Sequence, residues 1–155
     1  MVKRSLNIPL LSGLMLAALL ATSSAQSVNV TGRVSTYGGA TPEGPASAVV
    51  WLVPLGDPPD SMPMHGVLRQ KNKAFEPHLL VVTKGSTVDF PNLDPWFHNV
   101  FSLFNGKKFD LGLYEAGSTR TVHFDREGVS YIFCNIHPEM SAVVVVVPSP
   151  YFAIA

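Results

Sequence analysis

The stretch Gly128-Val129-Ser130-Tyr131-Ile132-Phe133-Cys134-Asn135-Ile136-His137-Pro138-Glu139-Met140-Ser141-Ala142-Val143-Val144-Val145-Val146-Val147 decides how this chain reads. Gly128 introduces a strand that ends at Cys134, and a second strand runs from the Met140–Ser141 junction to Val147. Between them lies only Asn135 to Glu139, where Pro138 limits the freedom of the backbone. Cys134, His137 and Met140 follow one another at three-residue spacing. They place a thiol, an imidazole and a thioether on one loop clamped by two strands. Donors that are close in sequence and held at both ends cost little entropy to organise.

The rest of the chain carries strand periodicity too. Val28 to Val34 alternates apolar and polar, as a half-buried strand does. After a Gly/Pro-rich turn (38–45), Ala48 to Val53 is a continuous apolar strand stopped by Pro54. Pro54 to Pro77 has no clear period and reads as a long surface connection with at most one short strand. Leu79 to Thr83 and Thr87 to Phe90 flank the turn Lys84-Gly85-Ser86. Asn99 to Phe104 follows, then a loop through Asn105-Gly106. In Thr119 to Phe124, Val122 and Phe124 share one face, Thr121 and His123 the other. Eight or nine short strands without an amphipathic helix predict an all-β sandwich. Tyr151 to Ala155 is a short apolar tail with no assigned role.

The first residues read as an export signal. Lys3 and Arg4 precede an apolar core from Leu10 to Leu20, and Ser23-Ser24-Ala25 is a small-residue cleavage site. Cleavage after Ala25 leaves 130 of the 155 residues as one domain, 26–155. Without Lys3 and Arg4 the 11 basic residues become 9 against 11 acidic ones. That balance excludes a basic nucleic-acid footprint. No later segment is long and apolar enough to span a bilayer. Cys134 is the only cysteine, so no internal disulfide can form. A lone thiol in an exported chain points to metal ligation, intermolecular pairing or chance.

A second histidine completes a donor set. His98 sits at the edge of an apolar stretch in Pro91-Asn92-Leu93-Asp94-Pro95-Trp96-Phe97-His98-Asn99-Val100-Phe101-Ser102. Two imidazoles, one thiolate and a weak thioether form the ligand set of a blue-copper electron-transfer site. Zinc is the competing metal, but thioether is a poor zinc ligand and no carboxylate claims the fourth position. Met62-Pro63-Met64-His65 is a weaker candidate that could hold Cu(I) transiently. His78 and His123 have no evident partners.

On these residues the chain resembles the cupredoxins. His98-Asn99 and Cys134-x-x-His137-x-x-Met140 are similar to the copper ligands of plastocyanin/amicyanin-like blue copper proteins, and the short loop is most similar to the amicyanin variety. Lys84 to Asn92 is similar to the strand that leads into the first histidine. The resemblance covers roughly Phe75 to Val147 and implies a Greek-key β-sandwich of about eight strands. It implies one type 1 copper ion, with His98, Cys134 and His137 as equatorial ligands and Met140 as the axial one. It further implies that Asn99 holds the ligand loop by hydrogen bonding, and that the N–H groups of Asn99 and Asn135 donate to the thiolate. Trp96, Phe97 and Pro138 would form an apolar collar, with the His137 ring edge reaching the surface for a partner.

The expected function is that of a small exported electron carrier, monomeric, periplasmic or secreted, and serving redox protein partners. Four protein ligands leave no open position for substrate, so it is not expected to be an enzyme. The alternative is a periplasmic copper-binding or delivery protein, in which Met62, Met64 and His65 would matter. A third reading is a β-sandwich interaction module.

Overall fold

Val143 to Val147 is apolar at every position because its strand is covered on both faces. In a computed structural model, which describes residues 28–34, 48–56 and 62–155, it forms the end of β11 (Ser141–Val147). The proposed export signal and the turn at 38–45 lie outside the described residues. The chain is all-β: the described residues form twelve strands and no helix. Before β11 come β1 (Val49–Trp51), β2 (His65–Val67), β3 (Arg69–Lys71), β4 (Ala74–Glu76), β5 (Leu79–Thr83), β6 (Ser86–Pro91), β7 (His98–Ser102), β8 (Phe109–Tyr114), β9 (Thr119–Phe124) and β10 (Gly128–Phe133); β12 (Phe152–Ile154) follows. No helix among the described residues is long and apolar enough to cross a membrane.

A five-stranded sheet runs in the order β5-β11-β10-β7-β8, and a three-stranded sheet in the order β2-β6-β9. β11 lies parallel to β5 and antiparallel to β10. Alternation then sorts the side chains. Val144 and Val146 join Val82, Val100 and Ile132 from the larger sheet and Val88, Phe90, Val122 and Phe124 from the smaller one in the main core. Val143, Val145 and Val147 face the other way. There they pack with Val49 and Phe152 of the β1–β12 ribbon. The apolar tail is thus a strand that covers the back of the sheet.

Three sequence expectations are corrected. Val28 to Val34 is exposed and forms no strand: alternation supplies a face but not the neighbouring strand a ladder requires. The segment Pro54 to Pro77, expected as a surface connection, carries β2, β3 and β4 and buries Leu68, Gln70 and Phe75. Strands of three residues are too short to declare a period. β8 falls where a loop was expected. It pairs with β7, but the register shifts between Asn99 and Phe101, where Leu111 and Gly112 oppose Val100 alone. Gly112 has φ +66°, the left-handed backbone such a bulge favours, and a glycine takes it without strain.

Leu68 tests the corrected segment. It is wholly buried, so Leu68→Ala should cost about 2–5 kcal/mol in urea unfolding. The exposed control Leu103→Ala should stay within about 0.5 kcal/mol. A cost as small for Leu68 would return the segment to the surface.

Candidate metal centre

The ends of two neighbouring strands bring the candidate ligands together. Cys134 follows β10 directly and Met140 precedes β11 directly. The loop is closed by its own backbone: the Cys134 N–H donates to the Met140 carbonyl at 3.3 Å, and the Met140 N–H to the His137 carbonyl at 3.0 Å. His98 opens β7, the strand that pairs with β10 through Phe101 and Phe133. Its side chain therefore faces the same end of the sandwich.

Three donor atoms converge there. His98 Nδ1 and His137 Nδ1 are 3.0 Å apart, and Cys134 Sγ lies 4.0 Å from the first and 3.8 Å from the second. A metal ion stands about 2.0–2.1 Å from imidazole nitrogen and about 2.3 Å from thiolate, so two such donors can be up to about 4.4 Å apart around one ion. All three separations satisfy this limit, and the cluster can hold a metal. His98 and Cys134 are buried and His137 is half-buried. Met140 is wholly buried in the same core cluster as Cys134.

A layer of buried polar groups lies around His98. Asp94 Oδ2 lies 2.8 Å from His98 Nε2. The same carboxylate accepts the backbone N–H groups of Asn72 at 2.6 Å and Lys73 at 2.9 Å, both in the turn between β3 and β4. Burial works against the charge of Asp94, but the Lys73 amide, the His98 ring and the Asn72 amide together hold its carboxyl below the ordinary range. Asn92 caps this loop, accepting the Asp94 N–H at 3.1 Å and donating to the Trp96 carbonyl at 2.8 Å. Tyr114, opposite His98 in the β7–β8 ladder, donates to the Phe90 carbonyl at 2.9 Å and accepts from Gln70. Burial pushes its phenol well above its ordinary value, outweighing the Gln70 contact and nearby Arg120.

The expected supporting residues divide. Trp96 and Phe97, just before His98, and Pro138, just after His137, are exposed, as are the apolar side chains of Leu93 and Ile136. Lys73 lies over the Trp96 ring at 5.4 Å. Asn99 behaves differently from the expectation. Its amide nitrogen donates to Asp110 Oδ1 at 2.7 Å on β8, not to the ligand loop, while its Oδ1 is buried without a partner. Asn135 is exposed, and the polar contacts of the Cys134 sulfur are the two imidazoles rather than the N–H groups of Asn99 or Asn135. Nor does the loop Met62 to His65 present a free imidazole: His65 Nδ1 meets Thr87 Oγ1 at 3.1 Å and Nε2 meets Asp89 Oδ2 at 3.1 Å. Asp94 was missed by sequence reasoning; its four-residue spacing from His98 was the available signal.

Comparison with solved structures places this architecture. A copper-containing nitrite reductase from Thermus scotoductus SA-01 superposes with a TM-score of 0.51 at 19% identity, covering 63% of this chain and 25% of that chain. A methionine-to-alanine variant of amicyanin in its Cu(I) form gives 0.50 at 22% identity, covering 54% and 82%. A proline-to-glycine variant of reduced amicyanin gives 0.50 at 22%, covering 57% and 87%. No protein-family model and no curated protein sequence matches the chain. The likeness is therefore one of fold, and the chain has a cupredoxin-like β-sandwich.

The Asn99–Asp110 contact yields a test with a defined pH signature. The Gly112 amide first, then Asn99, hold the Asp110 carboxyl below its ordinary value, against burial. A lowered folded-state value means that the unfolded chain takes up the proton first. The contribution is complete above about pH 4, the unfolded carboxyl's range, and is lost as pH falls through the folded value. Asp110→Ala strands the buried Asn99 amide and should cost about 1–3 kcal/mol at neutral pH by chemical denaturation. The gap between variant and parent should narrow in acid. A gap that is constant with pH would contradict the assignment.

Proposed function

We propose that His98, Cys134, His137 and Met140 hold one copper ion and that the protein carries single electrons between redox partners outside the cytoplasm. The observation that supports this reading is the convergence of two imidazole nitrogens and the lone thiol beside a half-buried histidine at an apolar surface. Bound there, copper would supply a one-electron Cu(II)/Cu(I) couple. His98 turns Nδ1 toward Cys134 and His137 while Nε2 is occupied by Asp94. Buried Cys134 and Met140 keep the soft donors away from water. Met140, as the fourth and weakest donor, closes the set, which leaves no position for a substrate and makes the protein a carrier rather than an enzyme. His137 reaches outward, and Trp96, Phe97 and Pro138 form the collar against which a redox protein docks. In this reading residues 1–25 are an export signal, and the protein works as a monomer in the periplasm or outside the cell.

Titration with Cu(II) should produce an intense visible thiolate-to-copper band that saturates at one equivalent. It should be absent in Cys134→Ser, bleach with a mild reductant and return on reoxidation. A colourless complex, or one that cannot be cycled, would contradict the reading and favour copper delivery.

A further inference from the structure

The buried carboxylate of Asp94 has a role that neither the ligand spacing nor the fold assigns. Its side chain touches no candidate donor atom, yet it is 5% exposed in an all-β sandwich. A group of this kind is seldom buried unless its oxygens are fully used. Here they are. Oδ1 accepts the Asn72 N–H, and Oδ2 accepts the Lys73 N–H and meets His98 Nε2. The turn that supplies the two amides is itself specialised. Asn72 and Lys73 have φ +55° and +56°, the pair of left-handed residues a two-residue hairpin loop needs. Asparagine tolerates this backbone because its short amide can hydrogen-bond locally, whereas lysine has no such compensation and is strained there. The two amide bonds to Asp94 offset that strain.

We propose that Asp94 is a positioning residue that fixes His98 as the tautomer protonated on Nε2, so that the Nδ1 lone pair faces Cys134 and His137 before any metal binds. The chemistry follows from the hydrogen-bond inventory. A carboxylate can only accept, and both oxygens are already met by backbone donors. The His98 nitrogen facing it must therefore be the donor. In the neutral ring that leaves Nδ1 unprotonated, 3.0 Å from His137 Nδ1 and 4.0 Å from Cys134 Sγ. The β3–β4 hairpin thereby becomes part of the site: its turn holds the carboxylate, and the carboxylate holds the ring. The lowered carboxyl value of Asp94 agrees with an acceptor on both oxygens. The purpose of the contact rests on reading His98 as a ligand, whereas the tautomer itself does not.

Asp94→Ala makes the distinction sharp, because it removes the acceptor that faces His98 Nε2. Asp94→Asn is the conservative control. Its single oxygen, turned toward Lys73 and His98, still accepts from both, while its NH2 faces Asn72. The experiment is nitrogen NMR of the imidazole rings in the full chain without metal, at mildly alkaline pH, followed by Cu(II) titration. In the parent, His98 should carry its proton on Nε2. In Asp94→Ala the ring should become a mixture of the two tautomers, and copper affinity should fall roughly 10- to 100-fold, the usual effect of losing an outer carboxylate. Asp94→Asn should keep the proton on Nε2. A parent spectrum with the proton on Nδ1 would overturn the proposal even if neither variant folds. So would an Asp94→Ala variant that keeps both the parent tautomer and the parent affinity. The correct tautomer in a parent that binds no copper would instead overturn the metal reading, and with it the purpose of the contact.

Discussion

The structure depends on one strand being buried on both sides. β11 pairs in parallel with β5 and antiparallel with β10, faces the main core through Val144 and Val146, and is backed by Val49 and Phe152. Burial of apolar surface is non-directional, so five successive valines covered on both faces do not set their own register; the ladders to β5 and β10 and the loop bond at the strand's start do. Everything attached to its start is therefore fixed. Met140 immediately precedes it, the Cys134–Met140 backbone bond closes the loop, and Cys134 directly follows the strand paired alongside. The precision of the candidate centre is inherited from this packing.

His98 arrives by a separate route and needs separate support. It opens β7, on the far side of β10 from β11. Its backbone position comes from the ladder with β8, while its ring orientation comes from Asp94. The polar groups near it form a connected set in which Asn92 caps the loop, Asp94 binds the hairpin turn, and Tyr114 and Gln70 bond to each other beneath. Polar groups in so apolar an interior would be costly unpartnered. Gln70 Oε1 and Asn99 Oδ1 are exceptions, buried without a partner.

Much of this was legible in the sequence, and the rest failed for identifiable physical reasons. β10 and β11 declare themselves because their runs are long and bounded by Gly128 and Pro138. Cys134, His137 and Met140 declare themselves because a short loop keeps sequence neighbours close in space. β3 and β4 were hidden: Gln70, wholly buried between exposed Arg69 and Lys71, reads as part of a polar surface run. β8 was hidden by the bulge at Gly112, which breaks its alternation. Val28 to Val34 misled in the opposite sense, since a period of two says nothing about whether an edge is available. Asp94 could not be weighted from sequence, because its other partners, Asn72 and Lys73, lie 22 and 21 residues upstream in a hairpin that was not foreseen.

The central claim is that the buried sulfur of Cys134, its loop neighbour His137 and His98 of β7 share one copper ion. X-ray absorption at the copper edge of the loaded protein addresses it most directly, because it counts the atoms around the metal. The predicted shell holds one sulfur at short distance and two imidazole nitrogens, and in Cys134→Ser the sulfur should be missing from it. A shell of nitrogen and oxygen only in the parent protein would contradict the account and move the metal away from Cys134.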